Sequence, residues 1–230
     1  MIKTVIFDLD DTLYDELDYC KSGFTAVAKF LANLPNIPPS LTANSIFTAL
    51  WEQFSAGNHK KTFNIALNKL KIDYNDETIQ NLVSIYRSHK PAIKLSSNTK
   101  KILDTLSSNY KLALLTDGFL PAQQLKVDAL GIEHYFDAII YTEALGRDCW
   151  KPSPAGFEYL LKKLKEKPKN CVYVADNAEK DFIAPNKLGL ATIQLVGPAN
   201  VHKTTPTEPQ AAPGLIIASI TQLPNALYRL

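Results

Sequence analysis

The sequence predicts an α/β protein in which a doubly wound parallel sheet forms the middle of three layers and carries an inserted α-helical cap. From Ser96 onward, short apolar runs alternate with amphipathic helical patterns, which is typical of a parallel sheet covered on both faces. Between Tyr14 and Lys94 the pattern is helical only. We therefore expect a core domain of residues 1–13 and 95–230, and a cap domain of residues 14–94.

The composition is that of an ordinary globular chain. Its 230 residues are 46% hydrophobic and 21% charged, which is enough for a sizeable core. A net charge of +2 is too small to indicate a nucleic-acid partner. No apolar stretch has the length of a membrane span, and no signal peptide is expected. Three widely spaced cysteines without a CxxC pair predict reduced thiols and a cytoplasmic protein. We expect a monomer or a homodimer.

The first predicted strand ends at a cluster of acids. Residues 5–7 form an apolar run of β-branched and aromatic side chains, as in a strand buried on both faces. Asp8 and Asp10 follow, and their spacing of two makes both side chains lean the same way in an extended segment. Such a turn is costly unless a cation neutralises it, and Mg²⁺ prefers carboxylate and carbonyl oxygens. The alternative is an Asp-rich turn that only caps the next helix.

Four amphipathic helices are predicted in succession within the cap. In each of them, apolar side chains recur at the spacing of one helical face. These apolar faces span residues 24–31, 47–54, 63–70 and 79–86. Segments rich in Pro, Gly, Asn or Asp separate the helices, so the helices can bury their apolar faces against one another.

Beyond residue 95, strands and helices are expected to alternate. The predicted strands are 111–115, 138–141, 171–175 and 191–195, with a last edge strand at 215–217. Helices are expected around 102–106, from Pro121 to Gly131, over 157–164 and at the C-terminus, and residues 197–214 are expected to form a loop. Ligands of such sheets bind beyond the carboxyl ends of the strands. Asp8, Thr116 and Asp176 stand at such ends, so they should face one crevice.

The side chains expected in this crevice suit a phosphate group. They are three carboxylates, a hydroxyl beside a glycine turn, and a lysine: Asp8, Asp10, Asp176, Thr116 and Lys151. Phosphoryl transfer mainly requires positioning and charge neutralisation. A carboxylate can attack phosphorus, and a second carboxylic acid can protonate the departing alkoxide.

Four short motifs resemble those of the haloacid dehalogenase-like hydrolase superfamily, and they occur in the same order. They are DLDDT at 8–12, TDG at 116–118, KP at 151–152 and DNAEKD at 176–181. The helical segment after the first motif resembles the cap of that family's small-molecule phosphatases. The resemblance implies a Rossmann-like core, Mg²⁺ as the cofactor and a small phosphate monoester, either a sugar phosphate or a nucleotide-like one, as the substrate. Residues 135–157 are loosely similar to the phosphatase that acts on N-acylneuraminate 9-phosphate, which favours sugar phosphates.

The resemblance also implies roles for the acids. Asp8 would be the nucleophile and a metal ligand. Asp10 would be the general acid and then the base, with its backbone carbonyl on the metal. Asp176 would complete the protein's share of the magnesium ligands. In this family, an acid at the position of Asp10 favours phosphate esters over dehalogenation or phosphonate chemistry.

The remaining roles concern the phosphate and its surroundings. By the resemblance, Thr116, Asp117 and Lys151 would hold the phosphate. Asp181, with Thr12, would lie just behind these residues, where Asp181 could orient Lys151. The alternative for Asp181 is an ordinary acid at a helix N-terminus.

Substrate choice is expected to depend on the cap. The candidates are Tyr14, Asn58 and His59, together with Tyr19 and Arg87, and each of them could instead be a plain surface or packing residue. Two alternatives to a phosphatase stay open. One is a phosphomutase of the same fold, and the other is a regulator that binds a phosphorylated metabolite without turnover.

Overall fold

The computed structural model describes residues 1–197, 201, 205, 206 and 208–230. The chain forms two compact units, one of residues 1–17 and 93–230 and the other of residues 18–92. The loop predicted over 197–214 lies partly outside the described residues, and its described part contains a short 3₁₀ turn at Pro209–Ala211. In the part of the chain that is described, none of the helices combines the length and the hydropathy that crossing a bilayer requires.

A parallel sheet is the centre of the first unit. Its strands within the described residues are β1 (Thr4–Phe7), β2 (Lys111–Thr116), β3 (Ala138–Tyr141), β4 (Cys171–Ala175), β5 (Ala191–Leu195) and β6 (Leu215–Ile217). They lie in the order β3-β2-β1-β4-β5-β6, and every neighbouring pair is parallel. Phe7 of β1 is in register with Leu114 of β2 and Val174 of β4. The carboxyl ends of these three strands therefore meet at one edge.

Four helices account for most of the segment that follows β1. They are α1 (Glu16–Ala32), α2 (Ala43–Ser55), α3 (Thr62–Leu70) and α4 (Asp76–Ser88). Phe24, Leu50 and Leu82 belong to one cluster of buried side chains, because the apolar spacing places them on one face of each helix. A reciprocal capping box between Asn75 and Thr78 starts α4 by satisfying backbone N–H groups of its first turn.

Within the described residues, five further α-helices belong to the α/β unit, and helices lie on both sides of the sheet. They are α5 (Ser97–Ser107), α6 (Ala122–Leu130), α7 (Ala155–Leu164), α8 (Ile183–Leu188) and α9 (Leu223–Tyr228). The predicted three-layer, doubly wound parallel sheet is confirmed. Helix α8 was not predicted, because six residues that include Pro185 are too few to show a helical period. Proline is tolerated there because it lies in the first turn.

The core beneath the carboxyl edge of the sheet is aromatic. Phe157, Tyr173 and Phe182 are fully buried, and the rings of Phe157 and Tyr173 meet edge to face with centroids 4.9 Å apart. Truncating a buried phenylalanine to alanine usually costs about 3–5 kcal/mol. The ring contact with Phe157 limits where the Tyr173 side chain can lie, and the Tyr173 hydroxyl reaches the site described next.

Candidate active site

Three neighbouring strands deliver polar side chains to the same edge of the sheet. Asp8 follows β1, Thr116 ends β2, and Asp176 follows β4. The N–H of Asp8 donates to the carbonyl of Val174 at 2.9 Å, so the pairing with β4 continues one residue beyond β1. This contact fixes the backbone of Asp8 at the end of the buried sheet.

Lys151 is a buried cation between two buried carboxylates. Its Nζ lies 2.7 Å from Asp8 Oδ1 and 2.8 Å from Asp181 Oδ1, and it donates to the Tyr173 hydroxyl at 2.9 Å. The side chains of Lys151 and Asp181 are each only 1% exposed. Burying a charged side chain this completely is unfavourable unless the charge is paired with an opposite charge and hydrogen-bonded. The two acids and the phenol supply those partners.

The electrostatics of this group follow from burial and close charges. Burial raises the pKa of Asp8 to about 7, although the Lys151 cation acts in the opposite direction. Burial alone would lower the pKa of Lys151, but the carboxylates of Asp181 and Asp8 raise it well above its usual value. Burial also raises the pKa of Tyr173 well above its usual value. Lys151 therefore stays protonated, and Tyr173 stays a neutral phenol.

Asp8, Asp176 and Asp181 form an acidic cluster. Each offers a carboxylate oxygen, and these oxygens lie within 4.8 Å of one another. Ligand oxygens in an octahedron around Mg²⁺, each at about 2.1 Å, are roughly 3 to 4.2 Å apart. The cluster therefore has about the size that one such ion requires. It contains no His or Cys, and an all-oxygen donor set suits Mg²⁺ better than zinc.

The loop around the cluster is held by its own hydrogen bonds. Asp181 accepts from the backbone N–H of Asn177 at 3.0 Å. The Gln194 side-chain amide donates to the backbone carbonyl of Asp176 at 2.9 Å. These bonds tie the segment after β4 to itself and to β5, and so limit where the two carboxylates can lie.

The Asp10 side chain lies outside this acidic cluster and has its own set of donors. Lys126 Nζ lies 2.8 Å from its Oδ1 and 2.9 Å from its Oδ2. Gln123 donates to Oδ2 at 2.9 Å, and the Tyr14 hydroxyl donates to Oδ1. Burial alone would raise the pKa of Asp10, but the Lys126 cation and the hydrogen bonds from Lys126, Tyr14 and Gln123 lower it below its usual value.

Asp117 joins the second motif to the third. Its carboxylate accepts from the Thr142 hydroxyl at 2.8 Å and from the backbone N–H of Lys151 at 3.1 Å, and it pairs with Lys180 Nζ at 3.1 Å. Burial alone would raise its pKa, but the cations of Lys151 and Lys180 hold it below its usual value. The Asp117 side chain thus braces the loop that carries Lys151. The neighbouring Thr116 hydroxyl accepts from the side-chain amide of Gln123 at 2.7 Å.

The other predicted site residues are distributed between the two units. Thr12 is buried in the α/β unit, and its hydroxyl has no hydrogen-bond partner among the described residues. Tyr14, a predicted cap candidate, belongs to the α/β unit and contacts Asp10. Asn58 and His59 lie in the helical unit, between α2 and α3. There Asn58 donates to Gln53 at 3.1 Å, and His59 stacks on an aromatic ring.

The last two cap candidates also lie in the helical unit. Tyr19 donates weakly to the carbonyl of Tyr86 at 3.4 Å. Arg87 lines a shallow surface groove along α4 with Ile79 and Val83. None of these contacts assigns either residue to a substrate.

Several residues that surround the acids were not among the predicted site residues. They are Tyr173, Lys180, Gln123 and Lys126. Gln123 and Lys126 carried one signal: they share a face of α6 with Ala122 and Val127, which is buried. Polar side chains on a buried helical face need partners.

Comparison with known protein families identifies the family of this chain. A family model described as haloacid dehalogenase-like hydrolase matches residues 2–189. The chain therefore belongs to the haloacid dehalogenase-like hydrolases, which confirms the resemblance found in the motifs.

Individual relatives and a solved structure agree with this membership. The chain is 26% identical over 233 residues to glyceraldehyde 3-phosphate phosphatase of Methanothermobacter thermautotrophicus, covering 99% of this chain and 100% of that protein. It is 26% identical over 244 residues to N-acylneuraminate-9-phosphatase of Homo sapiens, covering 98% and 94%. Its fold is similar to that of 2-haloacid dehalogenase from Pseudomonas syringae pv. Tomato DC3000, with a TM-score of 0.66, 23% identity and coverage of 100% and 99%.

Proposed function

We propose that this chain is a Mg²⁺-dependent phosphatase that hydrolyses a small phosphate monoester of the sugar-phosphate class. The observation that carries the proposal is the buried Asp8 carboxylate, 2.7 Å from the Lys151 cation and within 4.8 Å of two further carboxylates. A nucleophile, a fixed cation and an oxygen-lined metal site are the parts that phosphoryl transfer requires. The relatives named as glyceraldehyde 3-phosphate and N-acylneuraminate-9-phosphate phosphatases support the substrate class.

In the first step, an Asp8 oxygen would form a bond to phosphorus while the bond from phosphorus to the ester oxygen breaks. The electron pair of that bond would leave with the alkoxide, which takes a proton from Asp10. This step requires Asp10 in its protonated form, although the Lys126 cation lowers the pKa of that carboxyl. Lys151 and the Thr116 hydroxyl would hold the phosphoryl oxygens. In the second step, Asp10 would take a proton from water as the water oxygen bonds to phosphorus. The bond from phosphorus to the Asp8 oxygen breaks, its electron pair returns to the Asp8 carboxylate, and inorganic phosphate is released.

The donor set described above fits Mg²⁺. Asp8 and Asp176 would hold the ion through their carboxylates and Asp10 through its backbone carbonyl, while Asp181 lies close enough to join them. When bound, Mg²⁺ neutralises charge on the phosphoryl oxygens and on the nucleophile. Lys151 supplies a second positive charge, because its amino group lies 2.7 Å from Asp8 and 2.8 Å from Asp181.

Residues 18–92 would act as a cap. This role rests on the family resemblance and on the separate helical core of that unit. A cap that closes over substrate excludes water and contacts the leaving group. The enzyme would work in the cytoplasm, in keeping with three cysteines that form no disulfide. It would be a monomer or a homodimer.

The test is a turnover screen with purified protein. Sugar phosphates, nucleoside monophosphates and p-nitrophenyl phosphate are each incubated with Mg²⁺ or with a chelator, and released phosphate is measured. We expect hydrolysis of at least one sugar phosphate that requires Mg²⁺. Isomerised sugar phosphate without phosphate release would indicate the phosphomutase, and binding without any turnover would indicate the regulator. Exhaustive chelation without loss of rate would contradict the metal assignment.

Two variants test the assigned chemistry. Asp8→Asn should abolish turnover yet still bind substrate, because the attacking carboxylate is lost while Lys151 and Thr116 still hold the phosphoryl group. Asp10→Asn should slow both steps, and the first step less with p-nitrophenyl phosphate, whose leaving group needs no proton. Rapid acid quench with labelled substrate should then show phosphoenzyme building up. Label on a histidine or serine, or turnover by Asp8→Asn, would overturn the mechanism.

A further inference from the structure

Helix α6 carries two polar side chains on its buried face. Gln123 is 1% exposed and Lys126 is 4% exposed, and the two positions are three apart, so they lie on the same side of the helix. Burying a lysine is unfavourable unless a carboxylate and further hydrogen bonds compensate it. Both side chains therefore need specific partners, and the structure gives them partners in the candidate site.

Lys126 and Gln123 connect Asp10 to the phosphate-binding turn. Lys126 reaches both oxygens of Asp10, at 2.8 and 2.9 Å. The Gln123 amide nitrogen lies 2.9 Å from Asp10 Oδ2, 2.7 Å from the Thr116 hydroxyl and 2.7 Å from the Asp117 carbonyl. An amide nitrogen has two hydrogens, so at least one of them is shared between acceptors. The proton-transfer candidate and the phosphate-binding candidate are thus held by one side chain.

The turn itself is shaped around Gln123. Gly118 has φ +142, and a Cβ at that position would lie 2.7 Å from the Gln123 side-chain carbon Cδ. A larger residue would have to displace the amide from Thr116 and Asp117. The turn at Gly118 therefore also limits where the Gln123 side chain can lie, independently of its hydrogen bonds.

We propose that Lys126 and Gln123 are positioning residues for Asp10, and that α6 thereby fixes the leaving-group side of the site relative to the phosphate-binding turn. The inference rests on the phosphatase function proposed above. Stability alone does not explain the arrangement, because apolar side chains of similar volume are often at least as stable as a buried ion pair. Positioning does explain it, because a displacement of about 1 Å in a catalytic group can reduce turnover about a hundredfold.

The experiment is a double-mutant cycle of Lys126→Met and Asp10→Asn. In the wild-type background, Lys126→Met should lower kcat for an alkyl phosphate by about ten- to a hundredfold. KM should change less than kcat, and the loss should be smaller with p-nitrophenyl phosphate. In the Asp10→Asn background, the same substitution should cost less than about twofold, because Lys126 acts through Asp10. Acid quench should show more phosphoenzyme in Lys126→Met than in wild type, since the second step loses a well-placed base.

Controls separate positioning from folding. Lys162 is an exposed lysine on α7, so Lys162→Met should leave kcat unchanged. Gln123→Leu should likewise lower kcat more for an alkyl phosphate than for p-nitrophenyl phosphate. This variant replaces Lys126→Met in the experiment if Lys126→Met does not fold. The same four proteins are also unfolded with urea in the absence of substrate. The combined effect of the two substitutions on the unfolding equilibrium constant should differ from the product of their separate effects by at least about threefold.

The outcomes distinguish this inference from the proposed function. A wild-type protein that hydrolyses no phosphate ester contradicts the function, whereas the unfolding cycle still tests the contact between Lys126 and Asp10. Additive effects of Lys126→Met and Asp10→Asn on kcat would overturn positioning, because Lys126 would then act on the substrate directly. Wild-type kcat in a folded Lys126→Met, or independent effects in the unfolding cycle, would also overturn it.

Discussion

Replacing Lys151 by methionine removes a buried cation from between two buried carboxylates. The Lys151 amino group lies 2.7 Å from Asp8 and 2.8 Å from Asp181, and its side chain is 1% exposed. Removing one partner of such a pair usually costs about 3–5 kcal/mol, because the remaining charge has neither water nor a counterion. With an m-value of about 2 kcal/mol/M, the urea midpoint of the α/β unit should fall by about 2 M.

The two tryptophans allow this unit to be followed by itself. Trp51 belongs to the helical unit and Trp150 to the α/β unit, immediately before Lys151. In a Trp51→Phe background, tryptophan fluorescence during urea unfolding therefore reports on the unit that contains the site. The buffer should contain a chelator, because a divalent cation at the acidic cluster would compensate for the missing lysine.

Lys180→Met is the matched control. Lys180 pairs with the buried carboxylate of Asp117 at 3.1 Å, but its own side chain is 34% exposed. Solvent screens this pair, so its loss should cost no more than about 1 kcal/mol. Equal shifts for Lys151→Met and Lys180→Met, or a change below about 1 kcal/mol for Lys151→Met, would refute the argument from burial.

Three other predictions concern the turn, a buried thiol and the helical unit. Gly118→Ala should lower the free energy of unfolding by about 1–3 kcal/mol and reduce kcat. The reason is that φ at this position is +142 and the new Cβ would lie 2.7 Å from the Gln123 side chain. Unchanged urea unfolding and unchanged kcat would contradict this prediction. Burial raises the pKa of Cys171 from 9.0 to about 11. As pH rises past 9, the unfolded chain releases the Cys171 thiol proton before the folded chain does. The free energy of unfolding should therefore fall by about 1 kcal/mol by pH 10, as measured by urea titrations, and Cys171→Ala should not show this fall. Substitutions at Asn58 or His59 should change relative rates among substrates more than affinity for free phosphate; equal losses for every substrate would indicate a role in folding or closure.

The sheet could be predicted because its signals are local. Short apolar runs such as 171–175 are bounded by turns or acids, and alternation with helices fixes parallel pairing. The order of β1, β2 and β4 then brings Asp8, Thr116 and Asp176 to one edge. The catalytic and metal roles of these residues remain predictions.

The surroundings of Asp10 could not be predicted in the same way. Lys126 is 116 residues from Asp10 along the chain, and nothing in the amphipathic pattern of α6 says which acid a buried lysine will meet. The helical pattern that follows Tyr14 predicts a place in the cap, yet the Tyr14 side chain contacts Asp10. Contacts of this kind depend on how distant elements pack, and a periodic pattern carries no information about them.

The central place of β1 has a consequence for the order in which the protein assembles during synthesis. This strand precedes both of its partners along the chain, because β2 and β4 begin only at Lys111 and Cys171. At about 5–20 residues per second, β1 therefore waits roughly 10–30 s for its second neighbour. The helices of residues 18–92 make local contacts and can fold within that time. Asp8 therefore leaves the ribosome 143 residues before Lys151, its buried partner, and reaches its final surroundings late.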